Sequence, residues 1–64
     1  MDEATLRILR MAEELAGDEQ RALIWFEQQP IPGRDGKTAY DLVQEGKADK
    51  VLAYLEAVKS GVYS

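Results

Sequence analysis

Three groups of residues have the types and spacing that chemistry could use. Gly36-Lys37-Thr38 matches the end of a phosphate-binding loop, in which backbone amides and the lysine hold phosphates and the hydroxyl holds magnesium. Such a loop also needs a glycine five residues before its second glycine, and a strand leading in; Ile31 occupies that place, and Pro30 and Pro32 interrupt any strand. Gly33-Arg34-Asp35-Gly36 fits the bare GXXG pattern that clamps RNA backbones, but no strand pattern surrounds it. Paired carboxylates would have to face one another across a cleft with shifted pKa values, and every acid in the chain reads as an N-cap or as part of a solvated helix face. With neither histidine nor cysteine, zinc, haem and thiol chemistry have no ligands. No catalytic, metal-binding or cofactor-binding residue is assigned, and the expected class is non-enzymatic. Turn and cap account for GKT, and Arg34 and Lys37 are expected in solvent.

The elements that carry these residues read as helices. From Asp2 to Ala16 the apolar residues Ala4, Ile8, Met11, Ala12, Leu15 and Ala16 form a stripe of roughly 160° on a helix, with Leu9 at its border and Leu6 out of phase. Gly17 can end that helix in the left-handed conformation, and Asp18 can cap the next. The second helix, to Gln28, contains the run ALIWF and is expected to be apolar nearly all round and central to the core. Trp25 and Phe26 point about 100° apart on it, so one can bury while the other binds. Pro30, Pro32, Gly33 and Gly36 make the following stretch a loop, with Ile31 as its anchor. Thr38 restarts a short helix, with Asp41 where a capping box would have Glu or Gln. Gly46 stops it, and a last helix from about Lys47 to Ser60 carries Val51, Leu55 and Val58. The expectation is an all-α, single small domain of four helices with a Pro/Gly-rich loop between helices 2 and 3.

The 64 residues allow one small core. Twelve acidic against eight basic residues, a net charge of −4, oppose nucleic-acid binding. A helix-turn-helix is disfavoured as well, because about nine residues separate helices 2 and 3 where that motif has three or four. The longest unbroken apolar stretch, Ala22 to Phe26, is far short of a membrane span of roughly 20 residues. The absence of cysteines and of a signal sequence points to the cytoplasm.

The chain closes on Lys59-Ser-Gly-Val-Tyr-Ser64. Gly61 fits the position after a helix C-cap, and Val62 can pack back on the last turn as in a Schellman motif. Tyr63 has no such structural use. Trp25 followed by Pro30, then Gly36 and Thr38 opening a helix with Leu42, then Gly46, Val51, Leu55 and the closing Gly61-Val62-Tyr63 form a set in fixed order. On that set, residues 18–64 resemble the toxin-binding domain shared by the Xre, MbcA and ParS group of bacterial antitoxins, with residues 1–17 as a preceding helix. The family usually has proline directly after the threonine, where Ala39 stands, and proline at a first helical position is helpful without being required. Typical members also carry an N-terminal helix-turn-helix domain, which the one helix before Gly17 cannot supply.

The resemblance implies a helical module that neutralises a toxin of the RES group, enzymes that resemble ADP-ribosyl transferases and act on NAD. It implies that Val62, Tyr63 and Ser64 form the inhibitory tip in the toxin's active site, a task that suits tyrosine's large area and low entropy cost. Trp25 and Arg34 join them as candidate toxin contacts, and Gly17, Asp18, Pro30, Gly36, Thr38, Gly46 and Gly61 serve as structural positions. The alternative is a homodimeric scaffold in which Leu6, Leu9 and the two aromatics face a sister chain.

Overall fold

A computed structural model describes residues 2–61 of the chain. Those residues form helices α1 (Glu3–Ala16), α2 (Glu19–Gln28), α3 (Ala39–Gln44) and α4 (Ala48–Lys59). Among them no strand longer than a single bridge forms, so the architecture is all-α. α1 packs on α2 and α4, and α3 closes the bundle against α2 and α4.

Local chemistry sets each boundary. Asp2 Oδ1 accepts the Thr5 amide at 3.1 Å and caps α1. Hydrogen bonds from the Thr5 side chain and amide hold the Asp2 carboxyl below its ordinary value. Gly17, at φ +93°, ends α1 with its amide on the Glu13 carbonyl, and Asp18 Oδ1 at once accepts the Arg21 amide at 2.7 Å to start α2. α3 opens on a closed capping box: Thr38 Oγ1 accepts the Asp41 amide at 3.2 Å, while Asp41 Oδ2 accepts the Thr38 amide at 3.0 Å. It ends in a full Schellman motif, in which Gly46 donates to Val43 and Lys47 to Leu42.

The loop between α2 and α3 is two consecutive turns. The Arg34 amide reaches the Ile31 carbonyl around Pro32-Gly33, with Gly33 at φ +78°, which matches a type II turn. The Lys37 amide then reaches the Arg34 carbonyl around Asp35-Gly36, both at positive φ, as in type I′. A bridge between Pro30 and Thr38 and the Ile31 amide on the Lys37 carbonyl at 2.8 Å close the loop, which buries Ile31. The core comprises Ile8, Phe26, Ile31, Ala39, Leu42, Val51 and Leu55. Among the described residues no buried side-chain polar atom lacks a partner, and no helix is long and apolar enough to cross a membrane.

One expectation needs correction. α2 is not buried all round: only Ala22 and Phe26 are buried, Trp25 is half-buried, and Leu23 and Ile24 are exposed. A four-helix bundle this small contacts α2 along one side only. Leu15 lies on the expected stripe, seven residues after the buried Ile8, yet is 43% exposed, because it stands in the last turn of α1, where it lines an open cleft. The Lys37 side chain is solvent-exposed as expected, and at the surface its Nζ lies 2.7 Å from Glu45 Oε2, tying the loop to the end of α3.

Candidate functional site

Trp25 and Arg34 come from different elements, yet they share one neighbour. Trp25 lines an apolar cleft of about 210 Å³ with Ala12 and Leu15 of α1 and Leu55 and Val58 of α4. Tyr54 forms part of the same cleft. On its other side Tyr54 borders a smaller depression with Arg34, Pro32 and Lys50. The indole, the phenol and the guanidinium therefore follow one another across a single face of the molecule.

The backbone explains the placement. Trp25 directly precedes the buried Phe26 and follows the buried Ala22 by three residues, so its ring stands at the flank of the core face of α2, packed against the core and lining the cleft shared with α4. Arg34 is the residue shared by the two turns of the loop, held by its own amide and carbonyl while its side chain is exposed. The double turn accounts for the GXXG pattern, since both glycines take positive φ and Arg34 sits at the joint. Among the described residues Arg34 makes no ion pair, whereas Lys50 stands 3.9 Å from Asp49.

Charge near the loop is organised around Glu45. Its Oε1 accepts Lys37 Nζ at 2.9 Å, and Lys47 Nζ lies 3.6 Å from the same oxygen. The hydrogen bond from Lys37 lowers the Glu45 pKa, and the same bond raises that of Lys37. Both groups are exposed, so this is a surface latch on the loop, with no catalytic pairing of shifted groups. Among the described residues no three carboxylates gather as a metal site would require.

The far edge of the cleft is where α4 ends. The Gly61 amide donates to the carbonyl of Val58, a residue that lines the cleft, and Gly61 has φ +84°. This is one of the two bonds of a Schellman closure; the other, like the expected packing of Val62 and the tip role of Tyr63 and Ser64, falls outside the described residues. Of the structural positions, Gly17, Asp18, Gly36, Thr38, Gly46 and Gly61 occupy caps or turns, and Pro30 pairs with Thr38 in the bridge.

Tyr54 and Tyr40 were not singled out in the sequence. Tyr54 stands three residues after Val51 and four before Val58, so it flanks the buried row of α4 and is half-buried there; that spacing was the available signal. Tyr40 is next to the buried Ala39 and 46% exposed, with its ring meeting Phe26 edge to face at 6.1 Å and 83°. Its phase, one residue off the Ala39–Leu42 pair, was the available signal.

No curated protein and no solved structure matches the chain. One family model does, over residues 11–61: the antitoxin Xre/MbcA/ParS C-terminal toxin-binding domain. The match starts inside α1, seven residues before Asp18, and ends at the left-handed glycine that closes α4. It covers most of the chain, the Trp25 cleft and the Arg34 loop included, and the protein therefore belongs to the Xre/MbcA/ParS family of antitoxin toxin-binding domains.

Proposed function

We propose that the chain acts as one non-enzymatic domain, in the cytoplasm, that neutralises a RES-type toxin which consumes NAD or transfers ADP-ribose. In this reading Val62, Tyr63 and Ser64 enter the toxin's active site, and Trp25 and Arg34 hold the toxin beside them. The observation that carries it is the alignment of Trp25, Tyr54 and Arg34 on one face, with Gly61 ending α4 at the edge of the same cleft. A half-buried indole next to a phenol and an exposed guanidinium has the composition of an interface hot spot.

The mechanism asks little of the domain beyond shape. Tyrosine and tryptophan contribute area with few rotatable bonds, so little entropy is lost on docking. Arg34 is pre-positioned by two turns and presents a planar donor fork suited to a carboxylate or phosphate on the partner.

The test is suppression of NAD loss by a RES-type toxin. Purified protein should suppress it, and removal of Val62 to Ser64 should weaken suppression while helicity by circular dichroism stays nearly the same. Undiminished suppression after the truncation would reject the tail mechanism.

A further inference from the structure

The side of α2 opposite Trp25 carries apolar surface that the tail mechanism does not use. Leu23 and Trp25 are two positions apart, about 200° around the helix, so they look in opposite directions. On the Leu23 side a groove follows the seam between α1 and α2, floored by Leu6, Leu9, Ala22 and Leu23. It runs on past Leu9 and Leu23 to Phe26, Tyr40 and Val43 on the α3 side. The two stretches, of about 360 and 550 Å³, share Leu9 and Leu23 and so form one trough. Leu6, Leu23 and Tyr40 are 42%, 40% and 46% exposed along it.

The rim of the trough is acidic. Glu13 and Glu19 stand at one end with Arg10, and Asp2 and Glu27 at the other. Among the described residues the carboxylates of Glu13, Glu19 and Glu27 make no ion pair or hydrogen bond. Elsewhere Glu3, Glu14, Asp18, Glu45 and Asp49 all have cationic partners. An apolar floor whose rim carries four carboxylates against the single guanidinium of Arg10, among the described residues, selects for an occupant that is apolar on one side and cationic at its flanks.

Shape narrows the choice further. The α1 wall presents Asp2, Leu6, Leu9 and Glu13, successive turns of one helix over about 17 Å. A trough walled by helical turns is filled by another helix, with anchors at i, i+3, i+4 and i+7. A second copy of this chain fits poorly, because a two-fold contact would set each acidic rim against itself.

We infer that the α1–α2 groove docks an amphipathic helix of a protein partner with basic residues flanking its apolar face. The inference rests on the reading that the domain works by binding a protein, but not on the tail mechanism. The probe is a fluorescein-labelled synthetic peptide of about four helical turns, with leucines at i, i+3, i+4 and i+7 and lysines on either side. Its twin has glutamates in place of the lysines. Titrated with the full chain and followed by anisotropy, the lysine peptide should bind saturably, at least about tenfold tighter than the glutamate peptide, and more weakly as salt rises. Leu23→Asp and Glu19→Lys should each weaken it about tenfold, and amide shifts on binding should centre on Leu6, Leu9 and Leu23, leaving Trp25 unmoved. Glu19 is exposed and makes no ion pair among the described residues, so its variant keeps the test decisive even if Leu23→Asp fails to fold. Equal binding of the two peptides, indifference to Glu19→Lys, or a dimer in sedimentation that Leu23→Asp dissolves would each overturn the inference. Toxin suppression that is lost on tail removal, in a protein that ignores the lysine peptide, would sink the groove alone; the reverse pattern would sink the tail alone.

Discussion

Adjacent aromatic residues on α2 divide two tasks between them. Phe26 is buried against Ile8 and Leu42 in the core, and Phe26→Ala should cost about 3–5 kcal/mol. A chain this small has about 3–10 kcal/mol available, at roughly 0.05–0.15 kcal/mol per residue, so urea titration should find the variant's midpoint sharply lowered. Trp25 is half-buried at the lip of its cleft, and Trp25→Ala should cost only about 1–2 kcal/mol in the same titration. The sequence shows that two aromatics diverge; which one turns inward is decided by the partner helices. More was legible in the ALIWF run than its hydrophobicity conveys. Leu23 has Glu19 and Glu27 four residues to either side, and Ile24 has Gln20 and Gln28, so both lie on polar faces, while Ala22 and Phe26 share the face that continues from Asp18.

The Lys37–Glu45 pair makes a pH prediction of known sign. Glu45 has a lowered pKa, through the hydrogen bond from Lys37, so its contribution is present above the ordinary glutamate range and lost as pH falls through the lowered value. Lys37 has a raised pKa from the same bond, so its contribution is present below the ordinary lysine value and lost as pH rises through the raised one. Glu45→Gln should therefore flatten the acid limb of a plot of Tm against pH and leave the neutral region little changed, since the pair is exposed.

At the scale of elements, the boundaries were the most legible feature, because each is encoded by two or three neighbouring residues. Gly17-Asp18 ends one helix and begins the next without a linker, and the Thr38–Asp41 box works with aspartate in the place usually held by a longer acid. Asp18→Ala should cost about 1 kcal/mol through the lost cap. Gly17→Ala, with open space around the added methyl but a left-handed backbone to hold, should cost about 1–2 kcal/mol. Thermal melts of the two variants check both values. Less legible was the loop, where the prolines and glycines promised turns but not their order. The sequence of a type II and then a type I′ turn follows from Pro32-Gly33 and Asp35-Gly36 once the ends are known to be bridged, and that bridge between Pro30 and Thr38 is tertiary information.

At the scale of the whole molecule, two faces lie on either side of α2, and their chemistry differs. One holds Trp25, Tyr54 and Arg34; the other is a greasy trough edged by carboxylates. Periodicity announces that a helix has a buried side but not how far around or along it the neighbours reach, and this is why Leu15 and Leu23 were harder to place than Ile8 or Val51. In so small a bundle the contact strip on each helix is narrow, and leucines at its border become available to others.

Ile8 has no solvent exposure and Thr5 is 8% exposed, yet both precede Met11, where the family match begins. A recombinant fragment cut to the matched boundaries would thus amputate a keystone. Such a fragment should keep much of its far-ultraviolet helical signal but melt gradually, with dye-accessible interior, while the intact chain melts in one sharp step.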